Sequence, residues 1–221
     1  MDATELIQKI PVQQNLTALA YESIKKHILE GRLTVDTRLT EESLSQLLGI
    51  SKSPIREALN GLQNEGLIRI EPRRGAFLRT FSIQEVRDLY DLREVLEVFA
   101  VSTARITPGL LDKLNASIKR TRQFLLADDR NAHIEEDSRF HGLIAESTGN
   151  RELCRILGNI QNQIWLFRCQ TYNLSSSTAP KAHKAILESL KKHDLLAAQR
   201  AMREHIGTVR NKLLEHLSEE I

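Results

Sequence analysis

Histidines stand out in the C-terminal half of this sequence, where the predicted helices carry them together with an aspartate. Asp137 and His141 are one helical turn apart and therefore project from a single face. His183 and His205 each continue an apolar stripe on a later predicted helix, so both imidazoles should point toward the interior. If these helices pack together, three ring nitrogens and a carboxylate can converge.

That donor set suits Zn²⁺ or a similar divalent ion, with one coordination position left for water or a ligand. Spacing alone favours a simpler interpretation, in which helical proteins bury a histidine that bonds to a neighbour. His133, His193 and His216 are interpreted as surface or packing residues, with His133, one turn before Asp137, as a reserve ligand.

Residues 39–81 are predicted to fold as helix, turn, helix and hairpin. Thr40 can cap a helix whose first turn carries Glu41 and Glu42, and acidic groups are favourable at that end of a helix dipole. Gly49 supplies the left-handed residue that ends it. The pattern therefore begins with a short helix and a tight turn.

A second helix should follow almost at once, with Ser51 or Ser53 as its cap and Pro54 in its first turn. Apolar residues recur at three- and four-residue steps on one face, namely Ile55, Leu59 and Leu62. The opposite face is polar and partly basic, formed by Lys52, Ser53, Arg56 and Asn60. The N-terminal end of this helix is thus free to enter a groove of DNA.

A basic hairpin comes next. Gly66 ends the helix, and residues 67–71 alternate in polarity as a strand does. Arg73, Arg74 and Gly75 then lie in the turn before residues 76–81 return as a second strand. Helix pair and hairpin together indicate a winged helix-turn-helix. The alternative is a small helical hairpin with an ordinary surface ribbon.

The run GISKSPIREALNGLQNEGLI, followed by PRRGAFL, resembles the N-terminal domain of GntR-family bacterial transcription regulators. Ser51, Pro54 and the Arg56–Leu59 segment keep the family pattern, whereas Lys52 and Ser53 replace the usual arginine and threonine. The resemblance implies DNA binding by Ser51, Lys52, Ser53 and Arg56 and by the wing residues Arg73, Arg74 and Gly75. Lysine acts as a point charge, so Lys52 should change base preference more than phosphate binding.

Composition is that of an ordinary folded chain, with 41% hydrophobic and 27% charged residues and a net charge of +2. Positive charge is concentrated in residues 50–79, where six basic residues stand against three glutamates. No stretch approaches membrane-spanning length, and the N-terminus lacks a signal-peptide pattern. With only Cys154 and Cys169, too far apart along one predicted helix to bond, a reduced cytoplasm is the expected compartment.

The predicted fold class is mainly α. Residues 1–14 form an N-terminal arm, and residues 15–81 form the winged helix-turn-helix, with three helices, a two-stranded wing and the helix-turn-helix at about 41–60. Residues 82–221 show helical periodicity without a strand signal. They are predicted to form an antiparallel bundle of about six helices.

Residues 82–217 resemble the FCD domain, the ligand-sensing half of the FadR subgroup of GntR regulators. Many such domains carry an Asp-x-x-x-His pair on one helix and single histidines on two later ones, and Asp137, His141, His183 and His205 match those positions. The resemblance implies a divalent metal ion, with zinc expected and nickel or manganese as alternatives. It also implies that the metal holds a small effector, commonly a carboxylate.

An anionic effector needs a second anchor, and two arginines are candidates. Arg93 matches an arginine usual in the family, and Arg168 lies on the fourth helix of the bundle. The alternative for Arg93 is an ion pair with Glu97 on a solvated face. For Arg168 the alternative is simple exposure.

Two functions compete at this point. The first is a homodimeric transcription regulator, a repressor, whose operator binding responds to a metabolite. Homodimerisation is expected because one short helix reads too few base pairs, and a two-fold axis doubles the site. The second is a metal-dependent enzyme with an accessory winged-helix domain. The regulator is favoured, because a hydrolytic metal site needs a general base near the open position. The only acids that can be placed near this site are Asp137, which is itself a ligand, and Glu97.

Overall fold

The computed structural model describes residues 15–174 and 176–219, apart from the side chains of residues 169 and 170. These residues form nine α-helices and one antiparallel pair of strands, which confirms the mainly α fold class. The helices are α1 Leu16–Leu29, α2 Glu41–Leu48, α3 Lys52–Asn64, α4 Ile83–Thr103, α5 Pro108–Leu126, α6 Arg130–Ser147, α7 Arg151–Thr171, α8 Ala179–Lys191 and α9 Leu195–Glu219; the strands are β1 Ile68–Glu71 and β2 Gly75–Leu78. The predicted arm, residues 1–14, lies outside the described part.

Helices α1 to α3 and the β1–β2 hairpin share one hydrophobic core. The apolar stripe of α1 packs on the buried face of α3, where Ile55 and Leu62 have no exposed surface. Leu39 exchanges two backbone hydrogen bonds with Ala76, of 2.8 and 2.7 Å, which ties the segment before α2 to the hairpin. The polar face of α3 is exposed, so the winged helix-turn-helix presents its basic residues outward.

Local signals set the ends of α2 and α3. The Thr40 side chain accepts a hydrogen bond from the Ser43 N–H, and Gly49 has the left-handed φ of 65° that ends α2. Of the two serines predicted to cap α3, Ser51 occupies the N-cap position, but its side chain makes no capping hydrogen bond. Ser53 already lies inside the helix. The first-turn N–H groups of α3 are therefore not capped by these hydroxyls.

Helices α4 to α9 surround a second core, as predicted for a six-helix bundle. Helix α4 packs on α9 and α7, α5 packs on α6 and α8, and α8 packs on α9. Side-chain hydrogen bonds cap the N-termini of α4, α5 and α7, from Ser82, Thr107 and Asn150. Helix α6 begins at Arg130, because Asp129 accepts from the Ala132 N–H and Asp128 has a positive φ of 55°.

The two cores meet along α1 and α7. Leu29 of α1 packs against Trp165 and its neighbours, while Leu166 of α7 packs against the first core. Two long side-chain hydrogen bonds cross the same boundary, from Asn131 to the Glu30 carbonyl at 3.3 Å and from Asn162 to Glu65 at 3.4 Å. Among the described residues, no helix combines the length and apolar character needed to cross a membrane.

Candidate metal centre and nucleic-acid interface

Three helices bring four potential metal ligands together inside the bundle. Helix α6 supplies Asp137 and His141, α8 supplies His183 and α9 supplies His205, and one ligand atom from each lies within 4.8 Å of all the others. All four residues are buried, with at most 6% of their surface exposed. The packing alternative required only single histidines bonded to neighbours. The structure instead brings all four predicted ligands to one point.

Ring packing holds the imidazoles in place. The rings of His141 and His205 stack with centroids 5.3 Å apart and planes 9° apart. Phe140 stacks on His183 at 4.0 Å, so the side chain that precedes His141 on α6 forms one wall of the cluster. The ring of His183 meets those of His141 and His205 edge-on, at 5.1 and 4.9 Å. These contacts fix the ring positions through apolar packing.

Several polar atoms of this cluster have no hydrogen-bond partner. They are Asp137 Oδ1, His141 Nε2 and both ring nitrogens of His183. Buried polar atoms are normally paired, so this concentration of unpaired donor atoms calls for an explanation. His183 Nε2 lies 3.4 Å from Asp137 Oδ1. Neighbouring ligands of a divalent metal ion are roughly 3.0 to 3.4 Å apart, given metal-to-ligand distances of about 2.1 Å, so the residues fit such a metal.

Protonation also suits metal binding. Burial lowers the pKa of His183 to about 3 and that of His205 well below its ordinary value, which leaves both imidazoles neutral with a lone pair to donate. Burial alone would raise the pKa of Asp137, but its neighbours, Arg168 foremost, outweigh it and hold that pKa well below its ordinary range. The centre therefore contains two neutral imidazoles, His183 and His205, beside an ionised carboxylate.

Arg168 is buried, and the predicted alternative of simple exposure is wrong. Its guanidinium donates to Asp137 Oδ2, while Asp137 Oδ1 remains unpaired. The burial follows from packing, because α7 turns Arg168 toward α6 rather than outward. Arg168 therefore holds one carboxylate oxygen of Asp137 and leaves the other, Oδ1, free beside the remaining candidate ligand atoms.

Arg93 and Glu97 form the ion pair expected from their spacing, with 2.7 Å between Arg93 Nε and Glu97 Oε1. The predicted solvated face is wrong, because the two side chains are only 3% and 1% exposed. The other Glu97 oxygen accepts a hydrogen bond from His141 Nδ1. Burial would raise the pKa of Glu97, but His141 and Arg93 lower it to about 2. An ionised Glu97 therefore keeps the His141 proton on Nδ1 and leaves Nε2 for a metal.

The sequence did not indicate Tyr90 as a residue of the site, and it indicated a different role for Glu97. Glu97 was considered only as an ion-pair partner or a possible base, although its spacing from Arg93 and Tyr90 on α4 placed it on one helical face. Tyr90 was not singled out, yet it is fully buried and its hydroxyl has no hydrogen-bond acceptor in the part of the chain that the structure describes. No sequence signal indicated which helix Tyr90 would face.

His133 does not join the cluster, so its role as a reserve ligand is not supported. It is fully buried and its ring meets Tyr172 edge-on at 5.2 Å. Burial lowers the pKa of His133, which keeps the ring neutral. His133 is a packing residue beside the metal-ligand cluster. His193 is exposed, as expected for a surface residue.

The basic end of α3 is exposed and carries Lys52, Ser53 and Arg56 beside Ser51. Arg56 makes two hydrogen bonds to Glu41, of 2.7 Å each, and Lys52 pairs with Glu42. The first turn of α2 therefore lies beside the first turn of α3. These exposed ion pairs are weak, so both cations can exchange a glutamate for a phosphate or a base.

The wing tip contains three exposed or partly exposed residues, Arg73, Arg74 and Gly75. Arg73 has a positive φ of 61°, and Gly75 has a φ of 103°. A Cβ atom on Gly75 would lie only 2.7 Å from the Leu39 carbonyl oxygen, so glycine is required there. Arg74 pairs with Glu71 and its guanidinium lies over Phe77 at 5.6 Å. The tip is thus narrow and basic.

Comparison with protein families matches two consecutive segments of the chain. Residues 16–78 match the family described as bacterial regulatory proteins, gntR family. Residues 88–208 match the FCD domain. The first match contains the helix-turn-helix and wing, and the second contains the four candidate metal ligands.

Curated relatives of similar length include an uncharacterized HTH-type transcriptional regulator, YdhC, of Bacillus subtilis (strain 168), with 27% identity over 89% of this chain and 88% of that protein. The HTH-type transcriptional repressor RspR of Escherichia coli (strain K12) is 25% identical over 93% of this chain and 90% of its own. Among solved structures, E. coli McbR/YncC has a TM-score of 0.78 at 20% identity, covering 94% of this chain and 99% of the other. A putative GntR regulator from Rhodococcus sp. RHA1 has a TM-score of 0.80 at 18% identity, covering 91% and 99%.

Proposed function

The chain belongs to the gntR family of bacterial regulatory proteins and carries an FCD domain, and on this basis we propose that it is a transcription repressor controlled by a metal-held metabolite. It is a DNA-binding transcription regulator and not an enzyme. Within the site, Asp137 pairs with Arg168, and Glu97 pairs with Arg93 and His141.

The observation that carries the proposal is the buried cluster of one aspartate and three histidines with unpaired donor atoms. We assign Asp137, His141, His183 and His205 as the ligands of a divalent metal ion. Zinc is the best match to a three-imidazole, one-carboxylate set, and nickel and manganese are the alternatives. When bound, the metal supplies an open coordination position for an effector.

Charge balance supports an anionic effector. Within the cluster, the carboxylates of Asp137 and Glu97 are matched by the guanidiniums of Arg168 and Arg93. A divalent ion would therefore add two uncompensated positive charges in a buried site, and a carboxylate is the natural ligand to reduce them. Arg168, which contacts the ligand Asp137, is the nearer second anchor. Arg93 is already paired with Glu97, so it is the more distant candidate.

We assign DNA contacts to the two basic elements of the winged helix-turn-helix. Ser51, Lys52, Ser53 and Arg56 at the start of α3 would enter the major groove, and the wing residues Arg73, Arg74 and Gly75 would follow the phosphate backbone. The corresponding division of the chain is an arm at 1–14, a DNA-binding domain at 15–81 and an effector domain at 82–221. A cytoplasmic location is proposed with it.

We further propose a homodimer formed through α4. Leu92, Val95 and Phe99 lie on one face of this helix and are 46%, 66% and 48% exposed. The opposite face carries Arg93 and Glu97 of the candidate metal centre. Pairing of two α4 helices would cover the apolar face and place the two metal centres close to the subunit boundary.

Val95→Arg should disrupt that dimer, because two-fold symmetry sets two buried charges near each other at the interface. We expect the dissociation constant of the dimer to rise by at least about tenfold, measured by light scattering across a dilution series. Leu126→Arg is the matched control, since Leu126 is an isolated exposed leucine on α5, 84% exposed. A Val95→Arg protein that dimerises as tightly as the wild type would reject α4 as the interface.

Glu97→Gln should weaken zinc binding by roughly 10- to 100-fold, because the neutral amide no longer fixes the His141 proton on Nδ1. Competition with a chromophoric chelator measures that affinity, and urea unfolding separates it from stability. Glu136→Gln is the matched control. Glu136 precedes the ligand Asp137 in the chain, but its largely buried side chain pairs with Arg120 at 2.8 Å. Equal zinc affinities in the two variants would exclude a positioning role for Glu97.

Effector binding would reach DNA through the arrangement of the two winged domains. The contacts of α1 with α7 connect the helix that carries Arg168 to the DNA-binding core. An effector can change operator affinity only by its differential affinity for two arrangements, typically ~1 to 3 kcal/mol or roughly 5- to 150-fold.

The test of the proposal is an operator titration with metal-loaded and metal-stripped protein. The probes added are small molecules released by denaturing the natively purified protein and identified by mass spectrometry. We expect one of them to change operator affinity only when metal is present. Specific DNA binding that ignores both metal and every released molecule would leave a DNA-binding protein without the proposed control.

A further inference from the structure

Tyr90 places a hydroxyl group in the metal-binding half of the molecule for which the described residues offer no acceptor. The residue lies on α4, three positions before Arg93, and none of its surface is exposed. The Arg93 guanidinium beside it can only donate a hydrogen bond, and no described residue accepts one from the Tyr90 hydroxyl. A buried tyrosine hydroxyl normally has a partner, so this one requires an explanation.

The surroundings of Tyr90 belong to the same charged cluster. The Arg93 guanidinium lies 5.8 Å from the ring centroid, and the Phe167 ring lies 6.2 Å away beside it. The charges of Arg93, Arg168 and Asp137 all act on the hydroxyl. Burial raises the pKa of Tyr90, so the phenol keeps its proton and serves as a hydrogen-bond donor.

A metal ion accounts for the unpaired atoms of Asp137, His141 and His183 but not for Tyr90. A protonated phenol is a poor metal ligand, and its O–H needs an oxygen acceptor instead. Neither carboxylate of the cluster is left to accept it: Asp137 Oδ2 pairs with Arg168 and Oδ1 is assigned to the metal, while Glu97 pairs with Arg93 and His141. The acceptor must therefore come from outside the protein, as water or as part of the effector.

We propose that Tyr90 donates a hydrogen bond to a second oxygen of the effector, and so selects acids that carry a hydroxyl, oxo or second carboxyl group over plain monocarboxylic acids. This inference rests on the proposed function, because it takes the first carboxylate to be held at the metal. Tyr90 then acts as a specificity-determining residue. The effector it favours is a small, oxygen-rich acid.

Cobalt-substituted protein provides the test, because the visible absorption of bound Co²⁺ changes when an acid enters its open position. Two matched pairs of probes are titrated, propionate against lactate and butyrate against succinate. We expect wild-type protein to prefer the oxygen-bearing acid of at least one pair, and Tyr90→Phe to lose about tenfold of that preference. Chelation of Co²⁺ by lactate itself would persist in the variant, so only the difference between proteins counts.

Two controls separate binding from folding. Tyr172→Phe removes the hydroxyl of another buried tyrosine, which packs against His133 in a different cluster, and should keep the wild-type preference. The ligand-free Tyr90→Phe protein should melt close to the wild-type temperature, because no described residue accepts a hydrogen bond from the deleted hydroxyl.

The outcomes distinguish this inference from the function beneath it. If Co²⁺ does not bind, the assignment of the metal site is rejected, and the role proposed for Tyr90 is rejected with it. If Co²⁺ binds but the wild-type protein shows no preference in either pair, or Tyr90→Phe keeps the full preference, the role of Tyr90 is wrong while the metal site stands.

Discussion

Replacing His183 with alanine is expected to weaken zinc binding by roughly 100-fold or more, because loss of an outer partner alone costs 10- to 100-fold and His183 is assigned as a direct ligand. Its Nε2 lies 3.4 Å from Asp137 Oδ1, and its ring is fully buried against Phe140. His205→Ala should have the same effect. Zinc content after dialysis, and competition with a chelator, measure the loss.

His133→Ala is the matched control for these variants. It removes a fully buried histidine of the same helix as His141, but one that packs on Tyr172 outside the cluster. We expect it to lower stability by a few kcal/mol, as large-to-small core substitutions do, while zinc affinity stays within a few-fold of wild type. Full zinc content and a normal effector response in His205→Ala would return the histidines to a packing role.

Arg56→Ala is expected to abolish most operator-specific binding. Loss of a base or close phosphate contact costs ~1 to 3 kcal/mol, and a symmetric dimer loses it in each half-site, so affinity should fall at least about 30-fold. Arg56 is exposed on the polar face of α3, where it forms a solvent-accessible ion pair with Glu41. A gel-shift titration against operator and random DNA separates specific from general binding.

The ion pair with Glu41 gives this prediction a second arm. Glu41→Gln should release Arg56 and leave operator affinity unchanged or slightly higher, because the arginine no longer has to leave a carboxylate. Arg155→Ala is the matched control, since Arg155 is an exposed arginine of α7 paired with Glu152. Unchanged specific affinity in Arg56→Ala, with the salt dependence also intact, would show that α3 does not read the operator through this residue.

The two sets of variants should separate cleanly. His183→Ala should lose metal and effector response while DNA affinity without effector is kept, and Arg56→Ala should do the reverse. Such a separation is expected because the two sites lie in different cores, joined mainly where α1 contacts α7. A single defect shared by both variants would indicate misfolding rather than loss of a site.

Features that depend on neighbours in the chain were predictable from the sequence. Thr40 and Gly49 delimit α2, and the capping box of Ser82 and Glu85 begins α4, because both signals act over one helical turn. The pairing of Asp137 with His141 on one face follows from the same periodicity. The family resemblance then indicated which later histidines would join them.

Contacts between distant helices were decided only by tertiary packing. Periodicity shows that Arg93, Glu97 and Arg168 could face inward or outward, since charged side chains are usually exposed and the pattern does not state what they would meet. Packing of α4 and α7 around α6 buries all three. It also forms the hydrogen bonds between Glu97 and His141 and between Arg168 and Asp137. The unpaired hydroxyl of Tyr90 has the same origin. A helix face is encoded locally, whereas its partner across the bundle is set by how all the helices fill one core.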